Sequence, residues 1–369
     1  MRERIKRLPK AVVVLLGILV AGLFLGIMDL LAALLSNVAV LPGYGNSMVS
    51  EFAAGCVAFF VLLLFGYAGI LKEKGKGFIK GLYIGGFMTG YCLLEVVAQI
   101  YVQVMQPDRQ VVSIIEIFYF VATMFLIGWT EELIFRGVIL NLFLDRFSKT
   151  KGGILSAVIL SGCIFGAVHL TNVFQGVTIQ SAAVQAVTAG LLGVLLGAIY
   201  ARSRNIWTVI LFHAVVDFAS LMGSGIFGTG SSVEQINQMS ALNLVSVPVL
   251  LIPVIVLLRP KKLQEMEQEA NHIVVFDTYE EADSNALTSL ILGVLSILTG
   301  FIGYGLGIGI TGLIGAKLSR KVKLDNNGIA FVGMILSIIG IVVSIFGAAF
   351  MTFVYANLDA AQFLGGMQL

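Results

Sequence analysis

The chain has 369 residues, of which 58% are hydrophobic and 12% charged, with a formal net charge of +2. Soluble domains carry about 25% charged residues, so the apolar surplus exceeds what one water-exposed core can hide, and lipid must be the solvent for much of the chain. An ordinary soluble fold is excluded, the small net charge singles out no partner, and a nucleic-acid partner is not expected.

The first segment, MRERIKRLPK, precedes an apolar run too long for a signal-peptide core and without a small-residue cleavage motif, so it reads as a spanning helix. A span needs about 20 apolar residues. That rule predicts helices near 11–36, 49–71, 78–105, 111–143, 153–170, 176–201, 205–225 and 240–258. Lys and Arg give an independent check, because they concentrate in cytoplasmic loops. The predicted connections on the N-terminal side hold 17 basic residues, from Arg2 through Lys72, Arg146 and Arg202 to Lys262; those on the other side hold Arg109 alone. The expectation is an all-α polytopic membrane protein: an eight-helix core over 1–258 with both ends cytoplasmic, in a cell membrane.

Residues 259–284 are charged and lack an apolar span, reading as a cytoplasmic linker with a short helix through KKLQEMEQEA. Residues 285–357 form a second, Gly-rich membrane unit of two to three helices, with a turn near Gly300–Tyr304, and 358–369 are a tail. Cys56, Cys92 and Cys163 sit in separate apolar segments without CxxC spacing and read as buried thiols with no disulfide or metal role.

A charge at mid-bilayer costs roughly 2.5–3.5 kcal/mol on insertion scales, so polar residues inside the spans need a reason. The fourth helix contains WTEELIFRG, with Glu131, Glu132 and Arg136; the fifth ends FGAVHL, with Phe165 and His169; the seventh contains FHAVVDF, with His213 and Asp217. Two of the three histidines are here, and the third, His272, reads as a solvated linker residue. Glu132 and Arg136 are four apart and share a helix face, which suits a local ion pair. Glu131 is turned by about 100° and is free to face another helix. His213 and Asp217 are also four apart and point to one side. Counting about 1.5 Å per residue puts Glu131, His169 and His213 about 20, 24 and 12 Å deep. Asp29, Glu51, Glu95 and Glu116 are further acidic residues in or near spans, read as packing or interfacial groups. An unpaired Glu and two His on three different helices outweigh the reading of each as a lone structural polar group.

EELIFR, FGAVH and HAVVD resemble the EExxxR, FxxxH and Hxxx(N/D) motifs of the CAAX-protease and bacteriocin-processing family, related to the type II prenyl-protein endopeptidases. The resemblance implies an intramembrane endopeptidase acting on a membrane-associated peptide or protein. It implies Glu131 and His169 as the pair that activates water, with His213 and Asp217 stabilising the transition state and Glu132, Arg136 and Phe165 in support. Asp217 departs from the prenyl-protein branch, which has Asn there; an ionised aspartate cannot donate a hydrogen bond, so it would serve by orienting His213 or when protonated. A metal-independent reaction is favoured, with no cofactor; the alternative is a Zn²⁺ site of Glu131, His169, His213 and Asp217. The C-terminal unit is similar in composition to small Gly-rich bacterial membrane domains. Two rival functions stay open: a non-catalytic immunity or scaffold factor of the same fold, and a proton-coupled transporter using Asp29, Glu95 and Glu116 as relays.

Overall fold

The computed structural model describes residues 5, 7–35, 40–72, 75–106, 110–271, 279–300, 305–322 and 328–357. Arg109, His272, the turn residues 301–304 and the tail 358–369 lie outside the described residues. Among the described residues the regular structure is helical throughout, the state that satisfies every backbone group within one segment when no water is present. In chain order the helices are α1 (Lys10–Leu35), α2 (Gly45–Phe65), α3 (Gly75–Ile84), α4 (Gly86–Val104), α5 (Ile114–Glu132), a π-helical segment (Leu133–Leu140), α6 (Asn141–Phe147), α7 (Lys151–Val168), α8 (Ile179–Ser203) and α9 (Ile206–Ser220). They continue with α10 (Met222–Phe227), α11 (Ser232–Asn237), α12 (Ser246–Leu257), α13 (Pro260–Ala270), α14 (Tyr279–Gly300), α15 (Gly305–Val322) and α16 (Gly328–Asn357).

Seven stretches among the described residues are long and apolar enough to cross a bilayer, and an eighth candidate, Ala241–Leu257 followed by α13, is bent by 49°. The protein is thus an α-helical, multi-pass membrane protein. Six of the eight predicted spans fall on these stretches and 240–258 falls on the bent pair, whereas 205–225 holds only the 15-residue α9, shorter than a full span. The run 78–105 divides at Gly85 into α3 and α4, 111–143 extends to Phe147, and 205–225 ends at Ser220 before the short α10. Helix α13 occupies the charged segment expected to hold a short helix, and three helices occupy the Gly-rich segment. The cysteines are free, but only Cys92 is buried; Cys56 and Cys163 face outward, where an apolar thiol suits lipid as well as a core.

The helices form two compact units, Met1–Ile84 with Val112–Val275, and Gly85–Val111 with Phe276–Leu369. In the second unit α4 packs on α15 and α16, and α14, α15 and α16 pack on one another, through small residues. A Cβ on Gly90 would stand 2.8 Å from the Gly307 Cα, and one on Gly293 2.9 Å from the Gly333 carbonyl oxygen. Such close backbone approach is the main source of helix adhesion where lipid removes the hydrophobic drive between helices.

The first unit holds the residues singled out above. Its helix starts are capped by side chains: Ser113 and Glu116 form a capping box at α5, Thr150 accepts from the Gly153 amide at α7, and Asn205 accepts from the Thr208 amide at α9. Helices α7 and α8 touch through glycines, a Cβ on Gly166 standing 2.7 Å from the Gly190 Cα. Helix α2 lies as close to α5, since a Cβ on Gly55 would come 3.0 Å from the Trp129 ring and 3.2 Å from the Thr130 hydroxyl. Helix α5 in turn meets α9 at Gly128, where a Cβ would stand 2.9 Å from the Ile210 carbonyl oxygen.

Candidate active site

Directly after Glu131 and Glu132 the α-helical ladder of α5 widens into the π-helix Leu133–Leu140, whose residues are all buried. Short π-segments are rare and frequent at functional sites, because the wider turn re-aims side chains and frees carbonyls. The neighbours of those carbonyls account for the stability of this one. Asn141 Nδ2 lies 3.1 Å from the Arg136 carbonyl oxygen and 3.0 Å from that of Gly137, and the Ser161 hydroxyl donates to the Phe135 carbonyl. The sequence gives no periodicity signal for this feature; Asn141 and Ser161 are the polar side chains that support its carbonyls.

Arg136 is wholly buried. Its Nη1 is 2.6 Å from Glu132 Oε1, its Nη2 donates to the Gly193 carbonyl at 2.9 Å, and its guanidinium lies 4.6 Å from the centre of the Phe165 ring. Gly193 is required here, because a Cβ would stand 3.2 Å from Nη2 and 2.9 Å from Phe165. The expected local pair is therefore present and extended. Glu132 Oε1 also accepts from His213 Nδ1 at 2.8 Å, so one buried carboxylate oxygen ties the π-segment to α9.

The other nitrogen of His213 faces two carboxylates: Nε2 is 3.4 Å from Asp217 Oδ2 and 3.7 Å from Glu131 Oε2. Exposure separates the roles. Glu132 and Arg136 are 0% exposed and His213 4%, whereas Glu131 keeps 23% and Asp217 26% of side-chain exposure. Glu131 and Asp217 are thus the partly exposed acids beside a buried Glu132–Arg136–His213 unit, with the Glu131 Oε2 that faces His213 itself buried.

His169 continues the chain after α7, and its Nδ1 is 2.9 Å from the Phe165 carbonyl oxygen. A carbonyl only accepts, so Nδ1 carries the proton and, in the neutral ring, Nε2 presents a lone pair. Phe165 is the shared wall: its ring lies edge-on to His169 at 4.9 Å and to His213 at 5.6 Å. Electrostatic neighbours of His169 are His213, Asp217 and Arg136. Among the described residues no direct hydrogen bond or ion pair joins it to Glu131.

The structure thus brings Glu131, Glu132, Arg136, Phe165, His169, His213 and Asp217 into one cluster within the helical bundle of the first unit. It also brings in Glu51, which the sequence reading left among packing residues. The Thr130 hydroxyl lies 3.4 Å from the Glu51 carbonyl oxygen, and the Glu51 carboxylate lies within electrostatic reach of Glu131 and Asp217. A lone Glu in the second turn of a span carries no motif, so only the packing of α2 on α5 reveals it. Two of the acids considered as relays have other places: Glu116 caps α5 and Asp29 lies on an exposed face of α1. Among the described residues no group of three or more His, Cys, Asp or Glu side chains is disposed to hold a metal ion. The set Glu131, His169, His213 and Asp217 does not close into a ligand cage in this arrangement.

These features define a polytopic membrane protein with a carboxylate–imidazole site inside its helical bundle. Residues 113–219, the stretch that carries all three motifs, match the family described as type II CAAX prenyl endopeptidase Rce1-like. The match covers 107 of the 369 residues, and that stretch is similar to a family of proteases. No curated protein and no solved structure matches the chain.

Proposed function

We propose that the protein is an intramembrane endopeptidase that cleaves a membrane-associated peptide or protein with water activated by Glu131 and His169. The observation that carries the reading is the convergence of Glu131 Oε2 and Asp217 Oδ2, from the two partly exposed acids of the site, on His213 Nε2 of the buried Glu132–Arg136–His213 unit. Amide hydrolysis needs a base for water, donors for the oxyanion and an acid for the leaving nitrogen.

In this reading Glu131 takes the proton of a water that also donates to the free Nε2 lone pair of His169. The hydroxide adds to the scissile carbonyl. His213, donating from Nδ1 to Glu132 and carrying a second proton on Nε2, directs that proton at the oxyanion. Collapse of the tetrahedral intermediate breaks the C–N bond, and Glu131 returns its proton to the leaving amine. Asp217 orients His213 rather than donating, which fits an acceptor 3.4 Å from Nε2. The basic-residue pattern argues for a cytoplasmic N-terminus, and the proposed division of labour is the core 1–258, the linker and the Gly-rich unit 285–357, with cleavage assigned to the part of the core in the first unit and α4 serving the second. A bacterial plasma membrane is the proposed location, on the composition of the Gly-rich unit.

Comparative peptidomics of membranes bearing the wild-type chain or Glu131→Gln tests the activity and exposes the substrate. Products that vanish with Glu131→Gln and with His169→Ala, while both variants insert at wild-type levels, support the reading. Unchanged products with both variants overturn it and return the immunity or scaffold alternative.

A further inference from the structure

Helices α15 and α16 of the second unit pack antiparallel: Gly309 meets Ser337 and Ile341, and Arg320, nearer the other end of α15, meets Met334. Beside that seam is an open groove of about 330 Å³, lined among the described residues by Leu313, Lys317 and Arg320 of α15 and by Met334 of α16. The three α15 positions follow one another by four and three residues and so share a helix face. Met334 lies in the second turn of α16, whose Gly328–Phe350 stretch is able to cross a bilayer, so the groove sits where headgroups meet acyl chains.

A cation at the end of a span is ordinarily a snorkelling side chain that reaches out to water. Arg320 is placed differently. Its Nη1 is 3.7 Å from Met334 Sδ and its guanidinium carbon 5.9 Å from the centre of the Phe331 ring, so the charge lies back over α16. A thioether accepts weakly and a ring face attracts a cation without neutralising it, so neither replaces a counter-ion. Lys317 is exposed and makes no ion pair among the described residues. Neither α15 nor α16 contains an Asp or Glu. Helix α14, which carries Glu280, Glu281 and Asp283, packs on another face of α15. It meets α15 at Gly315, about 200° around the helix from Lys317, where a Cβ would stand 3.2 Å from the Asn285 carbonyl oxygen.

We propose that this groove binds the headgroup phosphate of an anionic glycerophospholipid, with an acyl chain running along Leu313 and Met334. Basic clefts between spanning helices hold lipid headgroups by this chemistry. Arg320 supplies a fork of donors for phosphate oxygens, and Lys317, one turn away, a second positive charge. Leu313 and Met334 lie deeper in the bilayer than the two cations and give an apolar wall that a free phosphate would leave uncovered. The volume is at the lower end of the roughly 300–1,000 Å³ of ligand sites, enough for a headgroup and the start of a chain. The site stands in the second unit and does not depend on the peptidase reading.

The test uses the full-length chain in detergent micelles doped with phosphatidylglycerol or with phosphatidylcholine, with bound lipid counted by native mass spectrometry. The expectation is one retained phosphatidylglycerol, preferred over phosphatidylcholine by about tenfold, with a preference that weakens as salt is raised. Lys317→Gln and Arg320→Gln each lower it by about fivefold. Lys80→Gln combined with Lys149→Gln removes the same charge as the double groove variant from exposed positions of the first unit, and leaves the preference intact. Leu313→Trp keeps both cations but fills the groove, and lowers retention of the lipid. No preference in the wild type, or equal losses in the Lys80/Lys149 control, overturns the proposal, since charge anywhere on the chain would then suffice. Displacement of the lipid by glycerol 3-phosphate at equal concentration also overturns it, because the occupant would then be a soluble phosphate.

Discussion

His213 Nδ1 and Glu132 Oε1 stand 2.8 Å apart with neither side chain more than 4% exposed, and this bond joins two helices whose motifs are about 80 residues apart. The same oxygen receives Arg136, so Glu132 balances one full positive charge and steers one imidazole. Its removal therefore has a structural cost as well as a chemical one.

Glu132→Ala leaves Arg136 buried with its charge uncompensated. Breaking a buried ion pair from one side costs about 3–5 kcal/mol. Thermal unfolding in detergent is expected to show that loss for Glu132→Ala, and less for Glu132→Gln, whose amide oxygen still accepts. Equal midpoints for Glu132→Ala and wild type would show that Arg136 finds another partner.

The spans and the polar residues inside them were legible in the sequence because each depends on local composition: about 20 apolar residues make a span, and a charge there is conspicuous. What depended on shape across helices was not. Glu132 read as the local partner of Arg136, and its bond to His213 depends on how α9 meets α5. Gly86–Val104 read as one half of a longer span, yet Gly90 packs it on Gly307 within the second unit. Glu51 was visible as a residue but not as a member of the site. The π-helix was invisible, since its run of apolar residues, interrupted only by Arg136 and Gly137, follows α5 with no change of pattern.

Asn141 is the side chain on which that π-helix rests. Asn141→Leu removes the donor to the Arg136 and Gly137 carbonyls and leaves them buried without it. The expected destabilisation is about 1–3 kcal/mol, the cost of buried polar groups losing a partner. Because Arg136 lies within the π-segment, activity should fall more steeply than stability. A variant with lowered midpoint and full activity per folded molecule would show that the π-segment does not position the site.

Gly193 tests the packing around Arg136. In Gly193→Ala the new methyl must displace Phe165 or the Arg136 guanidinium, from which it would be 2.9 and 3.2 Å away. Overpacking of this kind costs about 1–3 kcal/mol. Phe165 also flanks His169 and His213, so a small shift reaches both imidazoles. Gly197, one turn further along α8, is the control: its Cβ would meet nothing nearer than 3.4 Å, and Gly197→Ala should fold and function near wild type.

Asp217 distinguishes an orienting role from a proton-donating one. An orienting Asp217 needs only an acceptor near His213 Nε2, and the oxygen of an asparagine amide supplies one. Asp217→Asn is then expected to keep measurable cleavage, within about tenfold of wild type, while Asp217→Ala falls by about 10²-fold or more, in the range lost when a positioned transition-state group is removed. Glu131→Gln has no such rescue, because an amide cannot take the proton of water, and its loss should reach the 10²–10⁴-fold attributed to a general base. If Asp217→Asn is as inactive as Asp217→Ala, charge rather than hydrogen-bond geometry at residue 217 governs the reaction, and the orienting role of Asp217 fails. The kcat of the two variants on one peptide, normalised to folded protein, decides between them.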